Sequence, residues 1–399
     1  EVLDRAIAAC SRQLELVPGS QQGSALLAGC CYLRGVYASW HGGDPDTWLD
    51  RGIAVLEPFI ERSPEVRSLW GTFGNLLFQK GVVDRRAGRD AEPVLMRAIE
   101  AYRRVSAGAD VGPNATYNLG LALTELAGSR IDRGHDPSPV LDEALEAVER
   151  ALERYPDTPG LLQIAGLARL ARTRHRWQVG LETDQDLAEA ERVQARALEL
   201  QATDAEGWIN AAGTRLLRAR ILAASGQDPG PALEAARVAA ERARRLNPDS
   251  ADLQVTVAGI ELEAVDARHR AGKPIGGPLK RCRAAAGRAL ELSPDSAAAH
   301  LAMARAGLAE ARRDLSAGMS PDQVAQVLEQ ALAAADRASE CNPAMAETEA
   351  TRAVLLEILD RPRPQIEAAA RHALELNPRL VGSARAELDA VVGPPASSG

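Results

Sequence analysis

Aromatic residues are scarce in this chain: five Trp, five Tyr and three Phe, 3% of 399 positions. Rings supply much of the core volume of sandwiches, barrels and large enzyme domains, so their scarcity points away from those classes. Lysine is rarer still, with only Lys80, Lys273 and Lys280 among 47 basic residues, the rest being arginine. The five cysteines (Cys10, Cys30, Cys31, Cys282, Cys341) are an odd number without a CxxC, and no cysteine–histidine pair stands at zinc spacing. They are expected to be buried or incidental thiols in a reducing cytoplasm. No apolar run approaches the roughly 18 residues that span a bilayer, and no secretory signal opens the chain.

Catalytic signatures are absent as well. There is no Gly-x-Gly-x-x-Gly loop, no His-Arg-Asp and no Asp-Phe-Gly, so this chain is not expected to transfer phosphate by itself. Gly272-Lys273-Pro274 has proline where a phosphate loop needs a hydroxyl. No Gly-x-Ser-x-Gly elbow or His-Glu-x-x-His helix occurs. The six histidines (His41, His135, His175, His269, His300, His372) never stand three or four apart, so no metal ligand pair is proposed on one helix. Carboxylates such as Glu261 and Glu263 fall on different helix faces, with no sign of the shared pocket that a general acid and base need. No cofactor is implied. The chain is expected not to be an enzyme.

What remains is the composition of a folded, water-soluble chain: 46% hydrophobic and 26% charged residues. A net charge of −8 argues against a general nucleic-acid sleeve, which would need a basic field. At 399 residues, two or three compact domains or one repetitive array are expected.

The repeat is visible directly. Gly42, Gly88, Gly134, Gly180, Gly226, Gly272 and Gly318 follow one another at intervals of 46 residues. A second ladder at the same step reads Pro18, Pro64, Asp110, Pro156, Ala202, Pro248 and Pro294. A third holds only small residues: Ala28, Gly74, Gly120, Gly166, Ala212, Ala258 and Ala304. After Pro294 the step becomes 49, to Pro343, and then 35, to Pro378. Each ladder has a mechanical meaning. Glycine suits the left-handed position just past a helix C-terminus. The Asp-Pro that follows at Asp44, Asp136 and Asp228 starts a helix, with aspartate capping free N–H groups and proline at the first helical position. The ladder proline stops the second helix. The small residue marks a close helix crossing. Each unit is therefore a helix A of about 20 residues, a turn, and a helix B of about 16 to 18. No segment alternates like a strand.

These units resemble tetratricopeptide repeats. Ala115-Thr116-Tyr117-Asn118-Leu119-Gly120 is similar to the start of that family's helix A. Trp70 with Gly74, and Trp208 with Ala212, match its aromatic and small positions; Ala144 with Ala151 and Ala236 with Ala243 match the paired alanines of helix B. Its closing Ala-Leu-Glu-Leu-x-Pro matches Ala289 to Pro294 and Ala373 to Pro378. The departure is length, since the family's unit is 34 residues. Two extra helical turns lengthen helix A without rotating its faces. The elongated unit with its Gly-x-Asp-Pro turn resembles the C-terminal repeat arrays of bacterial, notably myxobacterial-type, serine/threonine protein kinases.

The resemblance implies an all-α, right-handed α-α superhelix of about seven to eight repeats, with helix A lining a concave groove that binds a protein or peptide. Carried across, the family's groove positions are Gln22, Tyr32, Asn75, Phe78, Gln79, Asn114, Tyr117, Glu125 and Gln163. Amide side chains there could pair with a ligand's backbone; intra-array packing or solvated surface is the other reading of the same residues. A more apolar row follows at Ile209, Leu216, Leu217, Val255, Leu262, Leu301 and Leu308. Arg174, Arg220 and Arg312 fall on one ladder and are a candidate anion strip, though arginine near a helix C-terminus is also favourable by itself; Asp266 interrupts that ladder.

The expected organisation is residues 1–18 as helix B of a truncated first repeat, 19–378 as the array, 379–392 as a capping helix and 393–399 as a disordered tail. The unpartnered first helix and the initial Glu1 suggest that the natural chain extends upstream. The expected function is an interaction scaffold or sensor array in the cytoplasm, with a protein or peptide partner, no nucleic acid, no membrane, and a kinase domain in cis. A free-standing adaptor, or an enzyme with a site assembled across repeats, are the alternatives.

Overall fold

The structure, a computed structural model, describes residues 2–40, 43–107 and 112–392. Among these every regular element is a helix. After α1 (Val2–Leu16) come pairs of a helix A and a helix B: α2 (Gln21–Trp40) and α3 (Asp46–Arg62), α4 (Arg67–Arg86) and α5 (Glu92–Ser106), α6 (Pro113–Asp132) and α7 (Ser138–Arg154), α8 (Pro159–Gln178) and α9 (Asp184–Leu200). Then follow α10 (Ala205–Ala224) and α11 (Gly230–Leu246), α12 (Ala251–Arg270) and α13 (Gly276–Leu292), α14 (Ala297–Ser316) and α15 (Pro321–Cys341), α16 (Ala346–Ile358) and α17 (Arg363–Leu376). α18 (Gly382–Val392) ends the order. Helix A is 20 residues long from α2 to α14 and 13 in α16. That loss of about two turns, with a helix B of 14 residues in place of 17 and a turn shorter by one residue, accounts for the shortened last step. The 21-residue α15 accounts for the step of 49.

The turn between helix A and helix B recurs from α4 to α14. Gly88, Gly134, Gly180, Gly226, Gly272 and Gly318 all have φ between +64° and +91°, where a Cβ is strained. The residue after the glycine bonds back across the helix end, as Arg89 N–H to the Asp84 carbonyl and Lys273 N–H to that of Arg268, both at 2.8 Å. This is the closing bond of a Schellman turn. In α16 the left-handed position belongs to Asp360 at φ +51°, and Arg361 N–H still reaches the Leu356 carbonyl at 2.9 Å. The aspartate two residues past the glycine does cap, with an offset. Asp44 Oδ1 accepts from Asp46 N–H at 3.0 Å and Asp228 Oδ1 from Gly230 N–H at 2.9 Å. Pro45 and Pro229 thus precede the first helical residue instead of occupying it. The carboxylate spans the proline because proline has no N–H to offer. Gly42 and Asp110 of the ladders lie outside the described residues, as do residues 393–399.

Helix B stops two residues before the ladder position, at Arg62 before Pro64, Leu246 before Pro248 and Leu376 before Pro378. The carbonyl freed there has a dedicated donor six residues on: Trp70 Nε1 donates to Pro64 O at 2.8 Å and Trp208 Nε1 to Ala202 O at 3.0 Å. His300 Nε2 lies 2.9 Å from Pro294 O, so this histidine occupies a structural place in the frame.

The chain packs as two units: Glu1–Arg130 with Pro137–Ala168 (unit 1), and Ile131–Asp136 with Arg169–Gly399 (unit 2). Unit 1 has a leucine-rich core, in which Leu49, Leu56, Leu76, Leu77, Leu95 and Leu123 have essentially no exposure. Burial of each such side chain is worth about 2 kcal/mol. At its close crossings a Cβ added at Gly74 would stand 2.7 Å from Tyr102 Cε1, and one at Gly120 the same distance from Ile164 Cγ2. In unit 2 the core is rich in alanine: Ala212, Ala236, Ala258, Ala286, Ala304 and Ala335 are fully enclosed. Each small side chain buries little area, so cohesion there rests on close helix approach and on charge pairs between helices.

Candidate functional site

The nine groove candidates all belong to unit 1. Gln22 and Asn114 are exposed at the starts of α2 and α6; Tyr32, Asn75, Phe78, Gln79, Tyr117 and Glu125 are half-buried; Gln163 is buried at 7% exposure. Several have an internal role. Tyr102 OH, from α5, donates to Asn75 Oδ1 at 2.8 Å. Burial raises the Tyr102 phenol well above its ordinary range, and the nearby Tyr32 adds to the shift. Tyr32 itself is raised by burial. Gln79 Nε2 donates to Ser39 Oγ at 3.3 Å, and Arg85 donates to Glu125 at 2.8 Å. These bonds tie α4 to α2 and α6 to α4, so two of the candidates hold neighbouring A helices in register. Tyr117 lies against Gly160, its Cδ2 3.1 Å from where a Cβ would stand. Gln163 Oε1 is enclosed without a hydrogen-bond partner among the described residues.

The three strip arginines belong to unit 2, and each meets a carboxylate of this chain. Arg174 pairs with Asp132 at 3.0 Å, Arg220 with Glu263 at 3.8 Å, and Arg312 with Glu387 at 2.7 Å. The last contact was not foreseen from the sequence, because Glu387 belongs to α18. That helix packs on α16 and also reaches α10 and α17. Leu380, just before it, and Ala384, Leu388 and Val391 on one of its sides join the core built by α14 to α17. Its polar side meets α14: Arg305 Nη2 donates to Ser383 Oγ at 2.5 Å and Arg312 Nη1 to Glu387. The connection from α17 is pinned too. Asn377 Nδ2 donates to Ile131 O at 3.3 Å, and the Trp177 ring lies 3.3 Å from where a Cβ on Gly382 would be. Most of the apolar row read from the sequence is likewise internal: Leu216, Leu217, Leu262, Leu301 and Leu308 are buried, with Leu308 in the same core as α18, while Ile209 and Val255 are half-buried.

Between Arg305 and α18 lies a crowded set of charges. Asp266 Oδ2 is 3.5 Å from Arg305, with Glu263, Glu387 and Arg270 around it. Its side chain keeps 31% exposure among these neighbours. Burial still pushes Asp266 up to about 6, against the pull of Arg305. A second feature missed from the sequence is Lys80, set among Asp46 at 2.6 Å, Asp84 at 3.3 Å and Asp50 at 3.8 Å. Its only sequence signal was being one of three lysines.

The five cysteines are free thiols. Burial pushes Cys31 up to about 11 and Cys282 up to about 12, so neither is a thiolate at neutral pH. Among the described residues no group of three or more His, Cys, Asp or Glu is placed to hold a metal ion. No described helix is long and apolar enough to cross a membrane.

With this geometry in place, the chain is an all-α array of the tetratricopeptide-like α-α superhelix class, and solved structures agree. The human IFIT1 dimer with m7Gppp-AAAA aligns over 93% of this chain and 72% of its own, at 14% identity and a TM-score of 0.50. A monomeric mutant of IFIT1 with m7Gppp-AAAA aligns over 87% of this chain and 69% of its own, at 14% identity and a TM-score of 0.52. Likeness at that identity is a likeness of fold. A shorter one, to the TPR protein YrrB, has a TM-score of 0.31 and is too slight to argue from. No protein-family model and no curated protein matches the chain significantly.

Proposed function

We propose that this chain is a protein-interaction scaffold that captures a partner protein or peptide on the helix-A face of unit 1. The observation that carries the reading is α18: on the helix-A side of unit 2, Arg305 and Arg312 hold a helical segment by its Ser383 and Glu387. The same layer in unit 1 presents Gln22 and Asn114 exposed, with Phe78 and Tyr117 half-buried, in the mixture of amide and ring that suits an extended backbone. The net charge of −8 favours a protein ligand over RNA. The resemblance of the elongated units to kinase C-terminal arrays supports a regulatory role beside a serine/threonine kinase domain in the cytoplasm, with no membrane and no cofactor involved.

The test is a pull-down from native cytoplasm with the intact chain and a Gln22→Ala, Phe78→Ala, Asn114→Ala variant. Asn75 is left intact because its loss would strand the Tyr102 hydroxyl. A partner kept by the first and lost by the second, at equal helicity, supports the groove; equal retention places binding elsewhere and overturns it. The coding sequence upstream of Glu1 tests the kinase link separately, since a kinase there must carry its Gly-rich loop and His-Arg-Asp.

A further inference from the structure

Positions 169, 215 and 261 are one ladder of the 46-residue frame, on successive A helices of unit 2: Arg169 on α8, Arg215 on α10 and Glu261 on α12. The matching place on the B helix that follows each is Glu189 on α9, Ala235 on α11 and Arg281 on α13. In two of the three repeats that place carries the charge opposite to the centre. Arg281 Nη2 donates to Glu261 at 2.8 Å, while Arg237 of α11 donates to it from the other side, also at 2.8 Å. Although burial works to raise Glu261, the two guanidiniums hold its carboxyl below the ordinary value. Glu189 lies in the field of Arg169 and is held low by Arg192 and then by Arg169.

Arg215 is the exception. The position that should oppose it is Ala235, and the nearest carboxylate, Glu191 of α9, is gripped through both oxygens by Arg218 at 2.8 and 2.9 Å. Among the described residues Arg215 makes one hydrogen bond, to its own helix at Ala211 O, 3.3 Å away, although a guanidinium has five donors. Where the opposing side chain is missing there is an open cleft of about 560 Å³, lined by Ala188, Glu191, Arg215, Arg218, Leu222 and Ala235 among others. Its walls are mostly short apolar side chains. Loss of water around Arg215 lowers its guanidinium pKa, against the pull of Glu191.

We infer that this cleft between α9 and α11 is a docking site for an acidic segment of a partner protein, which seats a glutamate carboxylate on Arg215 where the neighbouring repeats use their own side chain. The methylenes of a glutamate fit the alanine walls, and its carboxylate supplies the bidentate acceptor that the guanidinium lacks. The site is distinct from the unit 1 face proposed above.

The probe is a labelled, end-blocked hexaglutamate peptide, titrated into the intact chain at low salt by fluorescence anisotropy, with hexaglutamine as its uncharged counterpart. Hexaglutamate binds, and hexaglutamine does not. Arg215→Gln weakens binding at least tenfold. Ala235→Glu fills the seat from within, so it weakens binding to a similar extent and raises Tm. Because Ala235→Glu leaves Arg312 untouched, its effect separates the cleft from displacement of α18. No binding to the intact chain, or undiminished binding to either variant, overturns the proposal. The Gln22, Phe78, Asn114 variant should bind hexaglutamate as the intact chain does, so failure of the groove reading and failure of this one are told apart.

Discussion

Units 1 and 2 share one repeat frame and fill it differently. In unit 1 the close-crossing position is alanine at Ala28 but glycine at Gly74 and Gly120, and there the space goes to the large side chains of Tyr102, Ile164 and Val148. In unit 2 it is alanine at Ala212, Ala258 and Ala304, which fills its own space. Charge links helices in both units, through Lys80 with Asp46 and Arg85 with Glu125 in unit 1, and in unit 2 through Glu261 between Arg237 and Arg281 and Arg352 between Asp336 and Glu349. The helix-A layers differ as well, with amides and rings beside the Arg85–Glu125 pair in unit 1 and ion pairs that reach α18 in unit 2. At Gly74 and Gly120 a neighbour's bulk thus fills the space that alanine fills for itself in unit 2, while the backbone period stays the same.

The sharpest way to break this contrast is to put a side chain where unit 1 has none. Gly120→Val would set a Cβ 2.7 Å from Ile164 and 3.0 Å from Val148. Overpacking of this kind should cost about 3 kcal/mol. Hydrogen exchange should show α6 and α7 losing protection while α12 to α15 keep theirs. Equal loss throughout would mean that the two units unfold as one and that their difference has no energetic meaning.

A smaller effect is expected from Leu388→Asp, which puts a charge on the fully buried side of α18. Its cost is capped by the docking energy of that one short helix, about 2 kcal/mol, because α18 can detach while α14 to α17 stay folded. Amides of α18 should exchange near the unprotected rate in the variant. If α16 and α17 open with it, α18 is a cap that the last repeat cannot do without, and the contrast between a covered and an open face weakens.

The smallest effect is a slope with pH. Asp266 has an ordinary value of 3.8 and is raised to about 6 in the folded chain. Between about pH 4 and 6 the folded form keeps a proton that the unfolded form has released, so the stability of unit 2 falls as pH rises through that window and returns on acidification. Asp266→Asn should flatten this slope. The check is Tm against pH for both chains; identical slopes would remove Asp266 as the cause. In unit 1 the carboxylate of Asp44 is lowered by a hydrogen bond from Thr47, so it acts in the opposite sense.

Much of the fold was legible because its signals are local. A glycine in the left-handed position, a proline two residues past a helix end and a small residue at a crossing each act within a few residues of themselves. Their recurrence at 46 therefore gives helix lengths, turns and core faces without any long-range knowledge. Asp360 shows the limit of the rule: the turn persists where the glycine is gone, because the backbone bond from Arg361 to Leu356 can form without it. The candidate site was less legible. Asn75 and Glu125 stand at groove positions by count, yet Tyr102 and Arg85 engage them, and neither partner is marked by a ladder.

The amino-acid sequence by itself determined the class of fold, the repeat length, the shortened last pair and the set of residues on each helix face, since all of these follow from periodicity along the chain. Only the tertiary structure decided which of those residues have partners. Arg312 meets Glu387, 75 positions away, and Asn377 meets Ile131, 246 positions away; Arg215 lacks the opposing side chain that Glu261 has. Such pairings depend on how stacked helices bring side chains together in space, and a side chain can be replaced at one position without disturbing the period that places the backbone.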